Sequence, residues 1–387
     1  MQDSPAELIQ VLSNYDLGEL IHHDRDRRGT VNVSYVIETV REGQRRKFFL
    51  RKYKRGVRRD EILFEHSLVE HVARQGACPV ARLHPTRRGQ TFLHWPESEG
   101  DAEGAFYAVF DFLPGQDRYT WVGPRLSDAE LHSAGKLLAR FHSAASTLRP
   151  RGKRAEPKIR DLLKIIGSQW EAGRAKPRGT AFDEFLTRNF GLVRRAIITT
   201  SAALSRPAAR GFPEVFIHCD YHPGNLKFEG PEITGLVDFD WSKIDMRAFD
   251  VGLALWYFCV SWEGRSDGRL RLSDARVFLM AYQQALFSQP ALAPLSAAEI
   301  RGLPHMLMAG NIYVLYWTLR DYFGKDVDPE EYLVYLRHGV AFTRWFASRA
   351  NRGRLKRMLE SIPRSGASAS LRRMRRAAAR NRTLPRG

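Results

Sequence analysis

The 387-residue sequence has few cysteines, no long apolar run and no secretory pattern at its start, and each absence excludes a class of protein. Its three cysteines are odd in number and widely scattered, so they do not form a disulfide framework. No run of eighteen or more apolar residues is present, which argues against a membrane-spanning helix. The first ten residues lack a basic stretch followed by an apolar one, which argues against secretion. Together these absences predict a cytoplasmic protein.

Positive charge is abundant but unevenly distributed. The net charge is +18. Residues 352–387 hold twelve Lys or Arg against one acid, Glu360, and so carry +11, which leaves +7 for the preceding 351 residues. That remainder is an ordinary excess for a protein that binds a polyanion. The segment is also rich in Ser, Ala and Gly, so we predict a flexible basic tail, with contact to nucleic acid, anionic lipid or a partner as the alternative.

The strongest chemical signal lies in residues 215–241, where two short apolar runs each end on a carboxylate. The first run leads to Asp220, Asn225 follows five residues later, and the second run ends on Asp238. Asp220 can accept a hydroxyl proton, while Asn225 and Asp238 offer the hard oxygen ligands that Mg²⁺ prefers. This arrangement suits chemistry on a metal-bound polyphosphate. A zinc site is the alternative, although no second ligand cluster accompanies the soft side chains of this stretch, which are His218, Cys219 and His222.

The pattern His-x-Asp-x-x-x-x-Asn from His218 to Asn225, followed by Asp-Phe-Asp from Asp238, resembles the catalytic and metal loops of the aminoglycoside phosphotransferase/choline kinase superfamily. Within it the sequence looks closest to homoserine kinases of the second type. The resemblance implies an α+β, two-lobed, protein-kinase-like fold with a small β-rich N-lobe and a larger helical C-lobe. It also implies ATP and Mg²⁺ as cofactors and Asp220 as the catalytic residue. His218 is then expected to brace the catalytic loop rather than react.

The resemblance carries nucleotide contacts onto both ends of the expected N-lobe. Residues 28–39 match the loop and strand that cover the phosphates, through Asn32 and Ser34, although a glycine-rich loop is absent. The end of a later strand, Asp111 to Leu113, matches the hinge whose backbone meets the adenine edge. Main-chain recognition needs no special side chain, so the sequence tests this second assignment only weakly.

A strand cation and a helix carboxylate complete the implied nucleotide site. Arg51 matches the cation that pairs with the phosphates. Lys52 is the alternative, because successive strand residues face opposite sides and only one of the two can point to the site. Glu65 is the expected partner of that cation on the following helix, with Glu61 and Glu70 as alternatives.

Apolar periodicity predicts several helices, over residues 6–22, 60–74, 127–145 and around 182–205. The third begins with a capping pattern at Ser127. His142, near its end, is expected to pack and hydrogen-bond close to the catalytic loop rather than react. Asp250 resembles the family's aspartate that supports the loops from behind.

The acceptor is indicated only by class. Twelve positions separate Asp238 from Asp250, so the long activation segment and Ala-Pro-Glu motif of a regulated protein kinase are absent. This favours a small hydroxyl compound such as homoserine, choline or an aminoglycoside. The alternatives are a Ser/Thr protein-directed kinase of the same superfamily, or a non-catalytic nucleotide-binding module whose tail contacts nucleic acid. Aromatic and acidic side chains that are candidates for holding a cationic acceptor are Trp262, Glu263 and Asp321.

The length and the 43% hydrophobic content predict one large or two ordinary domains with a substantial core. The resemblance divides the chain into a nucleotide-binding lobe over residues 1–113, a catalytic and acceptor-binding lobe over 114–350, and the basic tail over 351–387. Neither the acceptor's identity nor the oligomeric state is indicated by the sequence.

Overall fold

The computed structural model describes residues 5–26, 31–96, 104–174 and 177–363. Residues 28–30 of the expected phosphate loop and residues 364–387 of the expected tail lie outside the described residues. The chain divides into two compact units. Unit 1 consists of Met1–Arg118, Thr147–Glu156 and Asn225–Asp240; unit 2 consists of Tyr119–Ser146, Pro157–Gly224 and Trp241–Gly387.

The described residues form ten β-strands. Six of them, β1 to β6, make one antiparallel sheet in the order β1-β2-β3-β6-β4, with β5 also paired to β6. Two smaller antiparallel sheets pair β7 with β10 and β8 with β9. In chain order the strands are β1 (Glu19–Asp26), β2 (Val33–Arg41), β3 (Gln44–Lys52), β4 (Leu83–His84), β5 (Leu93–Trp95), β6 (Ala105–Asp111), β7 (Glu214–Ile217), β8 (Leu226–Glu229), β9 (Glu232–Leu236) and β10 (Lys243–Met246).

The described residues also form eleven α-helices, most of them in unit 2. Short 3₁₀ turns cover Pro223–Asn225 and Gly264–Ser266. The helices are α1 (Pro5–Leu12), α2 (Arg59–Gln75), α3 (Asp128–Ala145), α4 (Ile159–Arg174), α5 (Ala181–Leu204), α6 (Pro207–Arg210), α7 (Arg247–Cys259), α8 (Leu272–Leu286), α9 (Ala297–Gly324), α10 (Pro329–Ala347) and α11 (Arg349–Glu360). An antiparallel β-rich unit and a helical unit give the α+β class that the sequence predicted.

The six-stranded sheet of unit 1 separates two apolar clusters. One contains side chains of α1 together with Tyr35, Phe48 and Leu50. The other contains side chains of α2 and β6, with Phe49 packed against it. Because side chains alternate along a strand, Leu50 faces the first cluster and Arg51 faces the side of α2.

Unit 2 is organised around α7, all of whose residues are buried. This helix packs against α9, and α3 packs against α8. Since α7 begins directly after β10, burial of the helix fixes the strand pair β7–β10 and the residues that follow β7. None of the described helices is long and apolar enough to cross a membrane.

Three predicted helices are confirmed to within one or two residues, and one prediction is wrong. Helices α2, α3 and α5 match the periodic segments, and Ser127 caps α3 in reciprocal hydrogen bonds with Glu130. The predicted helix over 6–22 instead ends at Leu12, and β1 begins at Glu19. Gly18 separates them: its φ is +94° and an added Cβ would lie 2.3 Å from the Val40 carbonyl oxygen, so the chain enters the sheet here.

The predicted domain boundaries differ from the two units. The sequence indicated one continuous lobe over residues 1–113. Unit 1 instead runs to Arg118 and includes two later segments. The first, Thr147–Glu156, is hydrogen-bonded to α2, and the second contains β8 and β9, which make backbone hydrogen bonds to Gln116 and Pro79.

The expected flexible tail from residue 351 is wrong over its first ten residues. Residues 349–360 form α11, whose Leu355 and Leu359 are buried, as is Ile362 just beyond it. These apolar side chains recur at helical spacing, and the high density of arginine around them obscured that period in the sequence.

Candidate functional site

Unit 1 gathers the expected cation and three carboxylates. Arg51, on β3, is only 9% exposed. Its Nη1 lies 3.2 Å from Glu65 Oε1 and 2.7 Å from Asp240 Oδ1, and its Nη2 lies 3.9 Å from Asp238 Oδ1. Lys52 faces the other side of the sheet, with its Nζ 3.6 Å from Glu7 Oε1. Of the two candidate cations, Arg51 is therefore the one that lies with Glu65 and the Asp-Phe-Asp stretch.

Burial and mutual charge set the protonation of this cluster. Burial disfavours the charged guanidinium, but the carboxylates of Asp240 and Glu65 outweigh it and raise the pKa of Arg51 above its ordinary value. Burial and the nearby charge of Asp240 raise the pKa of Glu65 to about 7, against the attraction of Arg51. Arg51 is thus charged at every working pH, whereas the ionisation of Glu65 changes near neutrality.

Asn32 and Ser34 lie at the start of β2, next to this cluster. Asn32 Nδ2 donates to Asp240 Oδ2, and its Oδ1 accepts from the Lys54 amide at 3.0 Å. Ser34 is buried and pairs with Arg51 in the register of β2 and β3. The structure thus brings three of the sequence-predicted residues, Asn32, Arg51 and Glu65, around Asp240.

The expected metal ligands also lie in unit 1. The Asn225 carbonyl accepts a hydrogen bond from the Val237 amide at 3.1 Å, which places Asn225 beside the residue that precedes Asp238. Asp238 has a left-handed φ of 65°, and its side chain is 39% exposed. Amide and carboxylate oxygens of this kind fit Mg²⁺, which typically takes few protein ligands and completes its shell with phosphates and water. Among the described residues, no group of three or more His, Cys, Asp or Glu side chains could hold a metal ion.

The expected adenine-binding backbone follows β6. Asp111 ends this strand, and its carboxylate accepts from His84 Nε2 at 2.7 Å. That hydrogen bond lowers the pKa of Asp111. Leu113 follows two residues later, half-buried, where an added Cβ on Gly235 would lie 3.1 Å from Leu113 Cδ1. The side chain of Asp111 therefore hydrogen-bonds within its own sheet, to His84 of β4. Recognition of adenine by the backbone of Asp111 to Leu113 stays a prediction.

In unit 2, a buried aspartate fixes the chain that leads to Asp220. Asp250 is fully buried on α7; its Oδ2 accepts from the His218 amide at 3.0 Å and its Oδ1 from the Cys219 amide at 2.9 Å. His142 Nε2 lies 3.0 Å from the same carboxylate, and its Nδ1 lies 2.8 Å from the Tyr282 hydroxyl. The predicted supporting contacts of Asp250 and His142 are therefore present.

The backbone just before Asp220 is strained. Cys219 has a φ of 64°, a conformation that costs a non-glycine residue on the order of 1–3 kcal/mol. Burial raises the pKa of its thiol to about 12, so the sulfur is a neutral packing group rather than a nucleophile. His218 is fully buried, with its ring against those of Phe141 and Tyr221. The two amides held by Asp250 are what maintain this conformation.

Asp220 itself has two aromatic neighbours within unit 2. The Tyr257 hydroxyl donates to Asp220 Oδ1 at 3.3 Å. His222 Nε2 lies 3.5 Å from Asp220 Oδ2, and the rings of His222 and Tyr257 meet edge to face, 5.2 Å between centroids. The hydrogen bond from Tyr257 therefore orients Asp220 through Oδ1, and the His222 ring lies beside Oδ2.

Three residues of this description were not identified from the sequence. Asp240 lies two positions after Asp238, and a second carboxylate in that motif was the signal that could have identified it. Tyr257 was interpreted only as part of an apolar aromatic stripe. Arg154, whose Nη2 lies 3.9 Å from Glu65 Oε2, sits in a basic, proline-punctuated stretch that offered no distinguishing signal.

Curated relatives match the chain over most of its length. A homoserine kinase of Bradyrhizobium sp. (strain ORS 278) is 29% identical over 349 residues, which covers 87% of this chain and 94% of that protein. A homoserine kinase of Xanthobacter autotrophicus is 30% identical over 344 residues, covering 86% and 93%.

Solved structures share the fold at lower identity. A microcompartment-associated aminopropanol kinase superposes with a TM-score of 0.64 at 17% identity, over 91% of this chain and 100% of that one. An amicoumacin kinase in complex with AMP-PNP, Ca²⁺ and Ami gives a TM-score of 0.62 at 16% identity, over 89% of this chain and 93% of that one. These likenesses confirm the predicted kinase-like α+β fold.

A family model completes the comparison. The model described as the phosphotransferase enzyme family matches residues 26–288, more than half of the chain and all of the predicted catalytic, nucleotide-binding and metal-ligand residues. The chain therefore belongs to the phosphotransferase enzyme family.

Proposed function

We propose that this phosphotransferase moves the γ-phosphoryl group of ATP to a hydroxyl group of a small molecule. The observation that carries the proposal is Asp220, a carboxylate oriented by the Tyr257 hydroxyl, five residues before Asn225 and eighteen before Asp238 in the chain. The homoserine kinase relatives and the AMP-PNP complex of a structural neighbour support ATP as the donor.

Each residue has a role that follows from its surroundings. Asp220 orients the acceptor hydroxyl and takes its proton as the oxygen attacks phosphorus. Arg51, charged and fixed by Glu65, pairs with the phosphates, and Asn32 and Ser34 lie at the start of β2, next to it. Asn225 and Asp238 would hold Mg²⁺, which neutralises phosphate charge when bound. Positioning and charge neutralisation then provide most of the rate increase.

For the acceptor, we propose a small amino alcohol or hydroxy amino acid of the homoserine type. Support comes from both curated relatives, which are homoserine kinases, and from the aminopropanol kinase among the structural neighbours. A protein Ser/Thr acceptor is the competing class. Asp250 follows Asp238 by only twelve positions, which argues against that class because it leaves no room for a peptide-binding activation segment.

The decisive experiment measures phosphate transfer from labelled ATP with Mg²⁺ to separate pools of hydroxyl compounds. The pools hold homoserine, choline, ethanolamine, aminoglycosides and small sugars, with a protein Ser/Thr pool alongside. We expect transfer in one small-molecule pool and a loss of orders of magnitude in Asp220→Asn, with ATP affinity largely kept. Asp238→Ala should instead weaken Mg²⁺-dependent ATP binding in calorimetry.

Three outcomes would contradict the proposal. Equal turnover in wild type and Asp220→Asn would exclude Asp220 as the base. Tight ATP binding with no transfer in any pool would favour a non-catalytic nucleotide-binding module. Transfer to the protein pool alone would replace the small-molecule acceptor by a protein one.

A further inference from the structure

A short segment of unit 1 places a second buried arginine beside Glu65. Arg154 lies in Thr147–Glu156, and its side chain is only 8% exposed. Its Nη2 lies 3.9 Å from Glu65 Oε2, and its Nη1 donates to the Phe239 carbonyl at 3.4 Å. The guanidinium also lies over the ring of Phe64, 5.8 Å from its centroid. Arg154 thus contacts α2 and the Asp-Phe-Asp stretch at the same time.

The segment is held on α2 by its backbone. The Arg151 amide donates to Ser67 Oγ at 3.3 Å, and the Lys153 amide donates to the Asp60 carbonyl at 3.2 Å. Gly152, between them, has a φ of +74°, and an added Cβ would lie 2.2 Å from the Asp60 carbonyl oxygen. Only glycine fits this position, so the approach of Arg154 depends on Gly152.

The two oxygens of Glu65 are divided between two cations. Oε1 lies 3.2 Å from Arg51 Nη1, while Oε2 lies on the side of Arg154. A buried carboxylate that loses one of its cations loses both stabilisation and orientation. We propose that Arg154 is a positioning residue for nucleotide binding, which ties α2 to the Asp-Phe-Asp stretch through Glu65 and the Phe239 carbonyl and so holds Arg51 and Asp238 in place. That this site binds a nucleotide is part of the proposed function, and the inference rests on it.

A change in the ionisation of Glu65 gives this role a distinctive signature. Burial and Asp240 raise the pKa of Glu65 to about 7, and the positive charges of Arg51 and Arg154 oppose that rise. Loss of Arg154 therefore raises the pKa further, so that Glu65 is protonated at higher pH and its pairing with Arg51 weakens. The charged and titratable groups that act on Glu65 are Asp240, Arg51, Arg154, Asp238 and, through its hydroxyl 3.5 Å from Oε2, Tyr53.

The test compares three full-length variants with wild type by calorimetry of ATP with Mg²⁺ between pH 6 and 9. Arg154→Gln should weaken affinity about tenfold at neutral pH, the size of one charged hydrogen bond, and should move the pH midpoint of binding upward. Arg154→Lys should recover most of the affinity. Arg151→Gln is the matched control, because Arg151 lies on the same segment but is 57% exposed and pairs with Glu70 at the surface. It should bind as wild type does.

A fourth variant tests the position of the segment without changing a charge. Gly152→Ala should displace the segment from Asp60 and reproduce the weakened binding and the raised midpoint of Arg154→Gln. Identical affinity and pH dependence in Arg154→Gln and Arg151→Gln would overturn the inference.

A measurement without nucleotide separates this inference from the proposed function. The titration of Glu65 can be followed by ¹³C NMR of its side-chain carboxyl and assigned with Glu65→Gln. A midpoint that rises in Arg154→Gln supports the positioning role even where ATP fails to bind, a failure that would count against the proposed function alone. A midpoint that does not move overturns the inference.

Discussion

Asp220 receives a hydrogen bond from a tyrosine that stays protonated. Burial, and then the negative charge of Asp220, raise the pKa of Tyr257 well above its ordinary value of 10. The hydroxyl therefore keeps its proton at neutral pH and donates it to Asp220 Oδ1. A donor that keeps its proton fixes Oδ1 of the carboxylate, which leaves Oδ2 to contact the acceptor hydroxyl.

Tyr257→Phe should lower kcat about tenfold and leave the affinity for ATP with Mg²⁺ unchanged. The variant keeps the ring packing against Trp121 and His222 but removes the donor, so that Asp220 samples orientations unsuited to the acceptor hydroxyl. Steady-state transfer kinetics measure kcat, and calorimetry measures nucleotide affinity.

Tyr316→Phe is the control for this substitution. Tyr316 lies on α9, and its hydroxyl makes no hydrogen bond within the described part of the chain, so the change should be silent. An unchanged kcat in Tyr257→Phe, or a loss confined to nucleotide affinity, would contradict the orienting role.

The sequence left alternatives to the cation and its partner, which were Lys52, Glu61 and Glu70. The Arg51–Glu65 pair was expected from the resemblance and is present in the structure. Asp240 and Arg154 were not expected, because their significance comes from tertiary contacts with Arg51 and Glu65 that no periodicity encodes. Contacts between distant positions of this kind require the fold itself.

Glycines allow two helices of unit 2 to approach closely. An added Cβ on Gly252 of α7 would lie 2.6 Å from the Met306 carbonyl carbon of α9 and 2.8 Å from the Leu307 nitrogen. One on Gly310 of α9 would lie 2.9 Å from the Leu253 Cα. Because α7 also carries Asp250, its position determines where the two amides before Asp220 are held.

Gly252→Ala should lower the free energy of unfolding by about 1–3 kcal/mol, the usual cost of overpacking against a backbone that cannot move alone. Gly167→Ala is the matched control, since Gly167 lies inside α4 and an added Cβ would meet nothing within 4 Å. That change should raise the free energy of unfolding by about 0.5–1 kcal/mol, the helix preference of alanine over glycine. Urea denaturation followed by circular dichroism measures both, and equal effects of one sign would contradict the packing argument.

Element-level prediction worked where two signals agreed. Helix α3 was placed to within one residue because apolar periodicity and the capping signal of Ser127 coincide. The segment 6–22 carried periodicity alone, and its last residues, from Glu19 onward, instead form β1, which pairs with β2. Pairing with a neighbouring strand is a long-range gain that a local helical pattern does not reveal.

At the scale of the whole chain, part of the basic segment 352–387 belongs to the fold. Residues 352–363 carry four Lys or Arg and one acid, and their apolar side chains are buried through α11 and Ile362. Residues 364–387 carry eight arginines and no acid. The sequence grouped both as one tail because composition averages over them, whereas the buried side chains of Leu355, Leu359 and Ile362 show that residues up to 362 belong to the fold.

Two truncations separate the contribution of α11 and Ile362 from that of residues 364–387. A chain ending at residue 363 should keep the thermal stability and transfer activity of the full chain, because it retains α11 and the hydrogen bond from Gln283 Nε2 to the Pro363 carbonyl, at 2.7 Å. A chain ending at residue 350 should unfold at lower temperature, since it loses Leu355, Leu359 and Ile362, each worth roughly 1.5–3 kcal/mol when buried. Thermal denaturation measures the difference, and equal midpoints for the two truncations would mean that α11 adds nothing to the fold.

The same pair of truncations tests the nucleic-acid alternative for the basic segment. Eight arginines acting through phosphate contacts would give binding to DNA or RNA that weakens steeply as salt rises. Such binding, if the full chain shows it, should already be lost in the chain ending at 363. Of the basic segment, that chain keeps only the charges on and around α11. Salt-dependent binding that survives in this chain would assign it to the folded units instead. Unchanged phosphate transfer in the chain ending at 363 would then show that residues 364–387 act independently of catalysis.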